Sequence, residues 1–393
     1  MTRQTLIKLA VGTVVAVVLA LWASSSRTPG SEVAGTGGPL VKGLRAAINE
    51  VTLLRVVEAG DKTAVTLQRS AEGWQVLERD GYAADIAKVR ETLIQFAESS
   101  LIEAKTANPE RHSVLGLEDV TKADAKGMRV EIEGKVAARI VVGSYSSQGG
   151  GSFVRRNDEA QTWLAKGNLV VDRLVTNWLQ KDLLDIGSDR IMRVEIRRGD
   201  SVFAVLKTSP EADNYQVEPM PAGRELLSEY EPNAIASVLA GLKLDDVARV
   251  DAVVPDPASM LLVRVHTFDG LIVEVAGFAS AGKRYATFKA EIDGARANLA
   301  AKAAQLNAVA EHQRAAKDDD AAATGPDAAT PSEPASTPLA VSDPAAFQAE
   351  RRQAIEDEAA SLNRRTQGWA YVLPAYKYAN MDKRLEDLLK PKG

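Results

Sequence analysis

The chain has 393 residues, ordinary hydrophobic content, few aromatic residues and a formal net charge of −5. That mild acidity is the opposite of a nucleic-acid footprint, so binding to a phosphate backbone is excluded as its main task. Cysteine is absent, which excludes disulfides, thiolate metal sites, cysteine nucleophiles and a lipid-attachment cysteine.

The first element is an apolar run from Leu6 to Ala23, preceded by Arg3 and interrupted by Lys8. As a helix it reaches about 27 Å, enough to cross a bilayer core. Positive charge ahead of the run keeps the short tail cytoplasmic and exports the rest. Residues 1–23 therefore read as cytoplasmic tail and transmembrane anchor. The run is longer than a signal-peptide core, and Trp22 suits a membrane interface. The alternative is a cleaved signal with its site at Leu21-Trp22-Ala23. Residues 24–48, rich in Ser, Gly, Thr and Pro at their start, read as a flexible tether. The expected location is the inner membrane, single-pass, with the bulk of the chain periplasmic.

Module one is expected over 49–188. Val51–Glu58 alternates as a strand, turns at Gly60-Asp61 and continues as Thr63–Arg69, followed by Gly73–Leu77. Asp85 is placed to cap a helix with Ile86, Val89, Leu93 and Phe96 on one face. In Met128–Glu133, Met128, Val130 and Ile132 alternate with Arg129, Glu131 and Glu133, and Val136–Val142 repeats the pattern more weakly.

Module two, expected over 189–289 and 367–393, replays this β-β-β-α-β-β order. Met192, Val194 and Ile196 alternate with Arg193, Glu195 and Arg197, and a turn at Gly199-Asp200 leads to Ser201–Lys207 and then Tyr215–Val217. Pro232 suits the first turn of a helix burying Ile235, Val238, Leu239 and Leu242. Leu261–Phe268 and Leu271–Ala276 form a hairpin around Asp269-Gly270. The exits also match: Leu101–Lys105 follows the first helix as Leu244–Arg249 follows the second.

Phe153–Arg156 runs almost directly into Gln161–Leu164, whereas their counterparts, Tyr285–Lys289 and Gln367–Val372, are separated by the insertion 290–366. The insertion opens with an Ala-rich helix carrying Leu299, Leu306 and Val309. Lys317–Ser342 lacks any core-forming pattern and is expected to be disordered. Asp343-Pro344 then starts a second helix with Phe347, Ile355 and Leu362.

Gly73-Trp74, the helix start at Ala84-Asp85, Leu115-Gly-Leu-Glu-Asp119, Phe153–Arg156, Gln161–Leu164 and Lys181–Leu184 together resemble the domain of unknown function 4340 family. The resemblance covers Val51 to Arg198 well and the second module more loosely. It implies a membrane-anchored, extracytoplasmic bacterial protein whose gene neighbours components of a gliding-type ABC transport system. It supplies no catalytic residues.

The search for chemistry begins with His112, His266 and His312, which lie in separate segments without metal-ligand spacing. No serine stands in a Gly-x-Ser-x-Gly elbow. Gly149-Gly150-Gly151-Ser152 lacks the lysine and the strand-to-helix context of a phosphate cradle and reads as a flexible hairpin loop. Asp318-Asp319-Asp320 falls in the expected disordered stretch and reads as a solvated charge run. Arg155-Arg156 reads as a surface salt-bridging pair. No catalytic, cofactor-binding or metal-binding residue is assigned, and no cofactor is expected.

The fold class expected is α+β: two related modules, each a mostly antiparallel sheet with one packed helix, plus the anchor and the part-helical insertion. The function expected is non-enzymatic, an accessory or scaffold subunit of an ABC-type transport system with protein partners and no nucleic acid. A module binding cell-wall glycan through Trp74, Tyr82 or Tyr145 is the alternative, and an envelope hydrolase is a third.

Overall fold

A computed structural model describes residues 37–323, 341 and 343–391, with the backbone alone over 316–323. The chain divides into two compact units, Met1–Trp178 and Leu179–Gly393. The expected anchor, the start of the tether and most of the expected disordered stretch lie outside the described residues. Among the described residues, no helix is long and apolar enough to cross a membrane.

In the first unit a short helix α1 (Leu44–Ala47) precedes β1 (Val51–Glu58), β2 (Lys62–Ser70), β3 (Gly73–Val76) and β4 (Tyr82–Ala83). Helix α2 (Ile86–Glu98) leads to β5 (Leu101–Ala104) and a one-turn helix α3 (His112–Leu115). Then come β6 (Met128–Gly134), β7 (Ala138–Ser146), β8 (Gly151–Arg156) and β9 (Thr162–Lys166). They form one nine-stranded sheet in the order β4-β3-β2-β1-β6-β7-β8-β9-β5.

The second unit begins with β10 (Asp182–Leu184), β11 (Ile191–Arg198), β12 (Ser201–Leu206) and β13 (Gln216–Glu218). A short helix α4 (Glu231–Ala236) is followed by β14 (Leu242–Lys243), β15 (Asp246–Arg249), β16 (Leu261–Thr267), β17 (Leu271–Ser280) and β18 (Lys283–Ile292). Two long helices, α5 (Gly294–Ala323) and α6 (Pro344–Thr366), separate β18 from β19 (Trp369–Val372), and α7 (Ala375–Met381) follows. Eight strands pair in the order β13-β12-β11-β16-β17-β18-β19-β15, while β10 pairs with β14.

Removing β4 from the first order leaves eight strands that correspond one for one with the second, and every pairing between these strands is antiparallel. The β-β-β-α-β-β order is therefore a truncated description. In the first unit β5, which follows α2, and in the second β15, which follows α4 and the short β14, go to the far edge, where each pairs with the last strand of its sheet. Such long-range pairing leaves no local periodic mark.

The α2 prediction is met at its cap and corrected at its first residue. Asp85 accepts from the N–H groups of Ala87 and Lys88, while Val89, Leu93 and Phe96 are buried. Ile86 is exposed, because the first turn precedes the part of the helix that the core covers. The tether expected to residue 48 is also shorter. Leu40 and Val41 are buried in the bend ahead of α1, and Leu44 and Ala47 within it. The helix expected after Pro232 ends at Ala236. Val238 and Leu239 are buried in the turns that follow, and Leu242 in β14, so their burial does not need a continued helix. Helix α5 continues to Ala323, into the stretch expected to be disordered from Lys317.

The Leu115–Asp119 segment owes its glycine to a left-handed backbone, and two glycines outside it let other backbone pack against it. Gly116 has φ +69°, and a Cβ on Gly143 of β7 would stand 2.2 Å from the Leu115 carbonyl oxygen. A Cβ on Gly127 would likewise stand 2.2 Å from the Gly116 carbonyl oxygen. Backbone meets backbone here, and only glycine leaves room.

Candidate functional site

The feature of the second unit best placed to meet another molecule is the helical insertion between β18 and β19. Its root is built by the Asp269-Gly270 turn. Gly270 has φ +98°, and a Cβ there would meet the Ala297 nitrogen at 2.7 Å and the Asp293 oxygen at 2.8 Å, so α5 starts directly against the turn. The Asp293 N–H donates to the Gly270 carbonyl at 2.8 Å, and the Asp293 side chain accepts from the Arg296 N–H at 3.0 Å.

Helix α6 is held more firmly. Arg190 donates bidentately to Glu358 at 2.8 and 2.6 Å, and through Nε to Asp269 at 2.6 Å. The bonds to Glu358 outweigh the cost of burial and, with Asp269, hold the guanidinium charged well above its ordinary range. Asn363 pairs with the backbone of Ala290 on β18, accepting from its N–H at 2.7 Å and donating to its carbonyl at 2.9 Å. Thr366 donates to the Phe288 carbonyl at 3.3 Å. Ala359, Leu362 and Thr366 are buried, whereas Phe347 and Ile355 are half-buried.

Among the described side chains of helix α5, the buried ones are small, Ala297 and Ala301. Leu299 is 68% exposed and Leu306 57% exposed, and their seven-residue spacing places them on one face. At about 1.5 Å per residue, α5 is about 45 Å long. The insertion is therefore clamped at its base and presents leucines on its first helix.

The residues weighed for chemistry are dispersed. His112 is buried, with Nε2 2.9 Å from the Ala160 carbonyl oxygen. His266 lies on the charged face of β16. Burial pushes its pKa down, opposed by Glu195 and reinforced by Arg193 and Arg264. His312 lies far along α5. Among the described residues, no group of three His, Asp or Glu side chains could hold a metal. The side chains of Asp318, Asp319 and Asp320 lie outside the described residues.

Gly149 and Gly150 lie in the exposed turn of the β7–β8 hairpin, whereas Gly151 and Ser152 are packed as the start of β8. A Cβ on Gly151 would stand 2.1 Å from the Ala165 oxygen, and Ser152 Oγ accepts from the Leu169 N–H at 2.9 Å and donates to the Gly167 carbonyl at 3.1 Å. The surface-pair reading of Arg155-Arg156 is half corrected. Arg155 is buried and donates to the carbonyls of Leu117 at 3.1 Å and Asn157 at 2.9 Å, and its desolvation lowers its pKa. Arg156 makes the salt bridge to Glu159, at 3.3 Å. Of the three aromatics, Tyr82 is buried, Trp74 half-buried and Tyr145 exposed.

Sequence reasoning missed Lys377 altogether. Its buried ammonium donates to the carbonyls of Ser237 and Ala240 at 2.7 Å each, in the turns after α4. Burial pushes its pKa down, with Asp185 opposing. No local pattern announces a lysine whose acceptors are about 140 residues away.

Residues 74–260 match the model of a family described as Domain of unknown function (DUF4340). The match runs from β3 to the residue before β16, so the insertion lies outside it. No curated protein and no solved structure matches the chain. Over residues 74–260 the chain is thus similar to the family of the domain of unknown function DUF4340.

Proposed function

We propose that this chain is a membrane-anchored, extracytoplasmic accessory subunit of an ABC-type transport system, acting through protein contacts and not by catalysis. The apolar run from Leu6 to Ala23 supplies the anchor in this reading. The shared strand order of the two sheets supports descent of both units from one duplicated ancestor. The first unit serves as scaffold, and the α5–α6 insertion chooses the partner.

The observation that carries the reading is the insertion's construction. Arg190, Asp269, Glu358 and Asn363 use half-buried polar groups to fix its base, while Leu299 and Leu306 are left facing solvent. Exposed leucines on a firmly seated helix suit a helix-in-groove or helix-on-helix contact with a protein partner. The glycan-binding alternative is weakened at one of its three residues, since Tyr82 is buried and offers no ring to a sugar.

Affinity purification of the tagged full chain from solubilised membranes tests the proposal. Recovery of a permease or ATPase subunit of an ABC transporter is the expected result. Abundant tagged protein with neither subunit recovered overturns it.

A further inference from the structure

We propose that the first unit carries a binding cleft for a carboxylate on a short apolar stem. The cleft stands on the first unit alone and does not depend on the transport reading. It is a cavity of ≈ 320 Å³ between the β2–β3 hairpin and one face of α2. That volume is near the lower end of small-ligand sites, about 300–1,000 Å³, and suits a leucine-sized group rather than a polymer.

Its charged groups are both cations, with no counter-charge. Arg69 and Arg90 line it together with the indole of Trp74, and no Asp or Glu is among the lining residues. Arg90 is exposed and, among the described residues, makes no hydrogen bond or ion pair. Arg69 donates to the Asn49 carbonyl, which orients its guanidinium without neutralising it. Two like charges in one concave site favour an anion, and the planar guanidinium fork matches a carboxylate.

Apart from Asn49 and Gly73 the rest of the lining is apolar, with Leu93 buried at its floor and Ile86 and Ile94 exposed. Ile86, Arg90 and Ile94 follow one another at four-residue spacing along α2, so the cation sits between two isoleucines. Ile86 is 57% exposed and Ile94 38% exposed. The exposure of Ile86, which broke the expected buried face of α2, is explained if its side chain is a wall of this site. A fully hydrated anion would gain nothing from these walls. A carboxylate joined to an aliphatic group would use both the charge and the apolar area. Two sources share this chemistry: a free short-chain acid, and the C-terminal carboxylate of a polypeptide ending in a leucine-like residue.

Saturation-transfer NMR on the full chain in detergent micelles tests the site. The probes are hexanoate, hexanamide, a short alanine peptide ending in leucine with a free carboxylate, and the same peptide amidated. Arg90→Gln serves as the reference, since an exposed, unpartnered side chain can be replaced without loss of the fold. Saturable transfer to the acids is expected, with affinity at least about tenfold weaker for the amides and for Arg90→Gln, the loss of one charge-assisted contact. Tighter binding of the peptide identifies a chain terminus as the source, and tighter binding of hexanoate a free acid. Equal binding of acids and amides, or no transfer above the Arg90→Gln background at about 10 mM ligand, overturns the proposal.

Discussion

Arg55 and Glu131 face each other across β1 and β6, with Nη1 3.0 Å from Oε2, and at the corresponding register of the second unit Glu195 stands opposite Arg264. The inversion extends one strand further. Arg139 on β7 pairs with Glu131 in register, and Glu274 on β17 pairs with Arg264. The first unit thus reads Arg-Glu-Arg across three strands and the second Glu-Arg-Glu. Opposite charges directly across a sheet stabilise it whichever strand carries which sign.

Glu131 is also bonded by Arg129 at 2.8 Å and is buried. Glu131→Arg should lower the stability of the first unit by about 3 kcal/mol, as expected for breaking a largely buried pair. The triple variant Arg55→Glu, Glu131→Arg, Arg139→Glu copies the other unit's order and should recover part of that loss. Urea unfolding midpoints compare the two, and a triple variant no more stable than the single one refutes the ladder.

Lys88, Asp172, Asn177 and Trp178 form a knot at the end of the first unit. Lys88 Nζ donates to Asp172 at 2.9 Å and lies 4.6 Å from the centre of the Trp178 ring, and Asn177 donates to Asp172 at 2.8 Å. Burial raises the Asp172 pKa, but bonds from Lys88, the Leu174 N–H and Asn177 outweigh it and hold the carboxyl below the ordinary 3.8. A depressed folded-state pKa contributes stability that is present above 3.8 and lost as pH falls through the folded value. Asp172→Asn should therefore reduce stability at neutral pH and flatten the acid limb below about pH 4. Denaturant unfolding measured against pH checks both effects, and an unchanged acid limb contradicts the assignment.

At the root of the insertion, Gly270→Ala combines a positive φ with backbone overlap against α5. It should cost about 2–3 kcal/mol and increase hydrogen exchange in the first turns of α5. Gly282, also at positive φ but with open space around it, is the control. Its alanine variant should cost only about 1 kcal/mol and leave α5 protected.

The exposed pair on α5 separates stability from docking. Leu299→Gln with Leu306→Gln should change the unfolding free energy very little, by about 0.5 kcal/mol at most, as for other surface substitutions. The same variant should lose the partner recovered from membranes. Full partner recovery would move the docking role elsewhere.

Much of the strand pattern was legible because it is written in neighbours. Val194 and Ile196 alternate with Glu195 and Arg197, and Asp269-Gly270 supplies the turn that closes β16 onto β17. The Asp85 cap was likewise readable, since a cap needs only the next few N–H groups. The candidate sites were not. Arg155 looked like half of a surface pair, yet it is buried because the Leu117 carbonyl is brought to it by a fold contact. Ile86 looked like core because its spacing was right, and spacing does not reveal which turn of a helix the core covers.

By itself the sequence determined the elements: alternation made the strands, an aspartate opened α2, and glycines marked the turns at which backbone must bend or close up. Those are short-range effects of side-chain period and allowed φ. The tertiary structure alone decided that β5 and β15 return to the far edges, that Lys377 caps the carbonyls after α4, and that Arg69 and Arg90 share a cleft with Trp74. A buried charge or an unpaired cation is defined by partners distant in the chain, and no local pattern encodes where those partners will be.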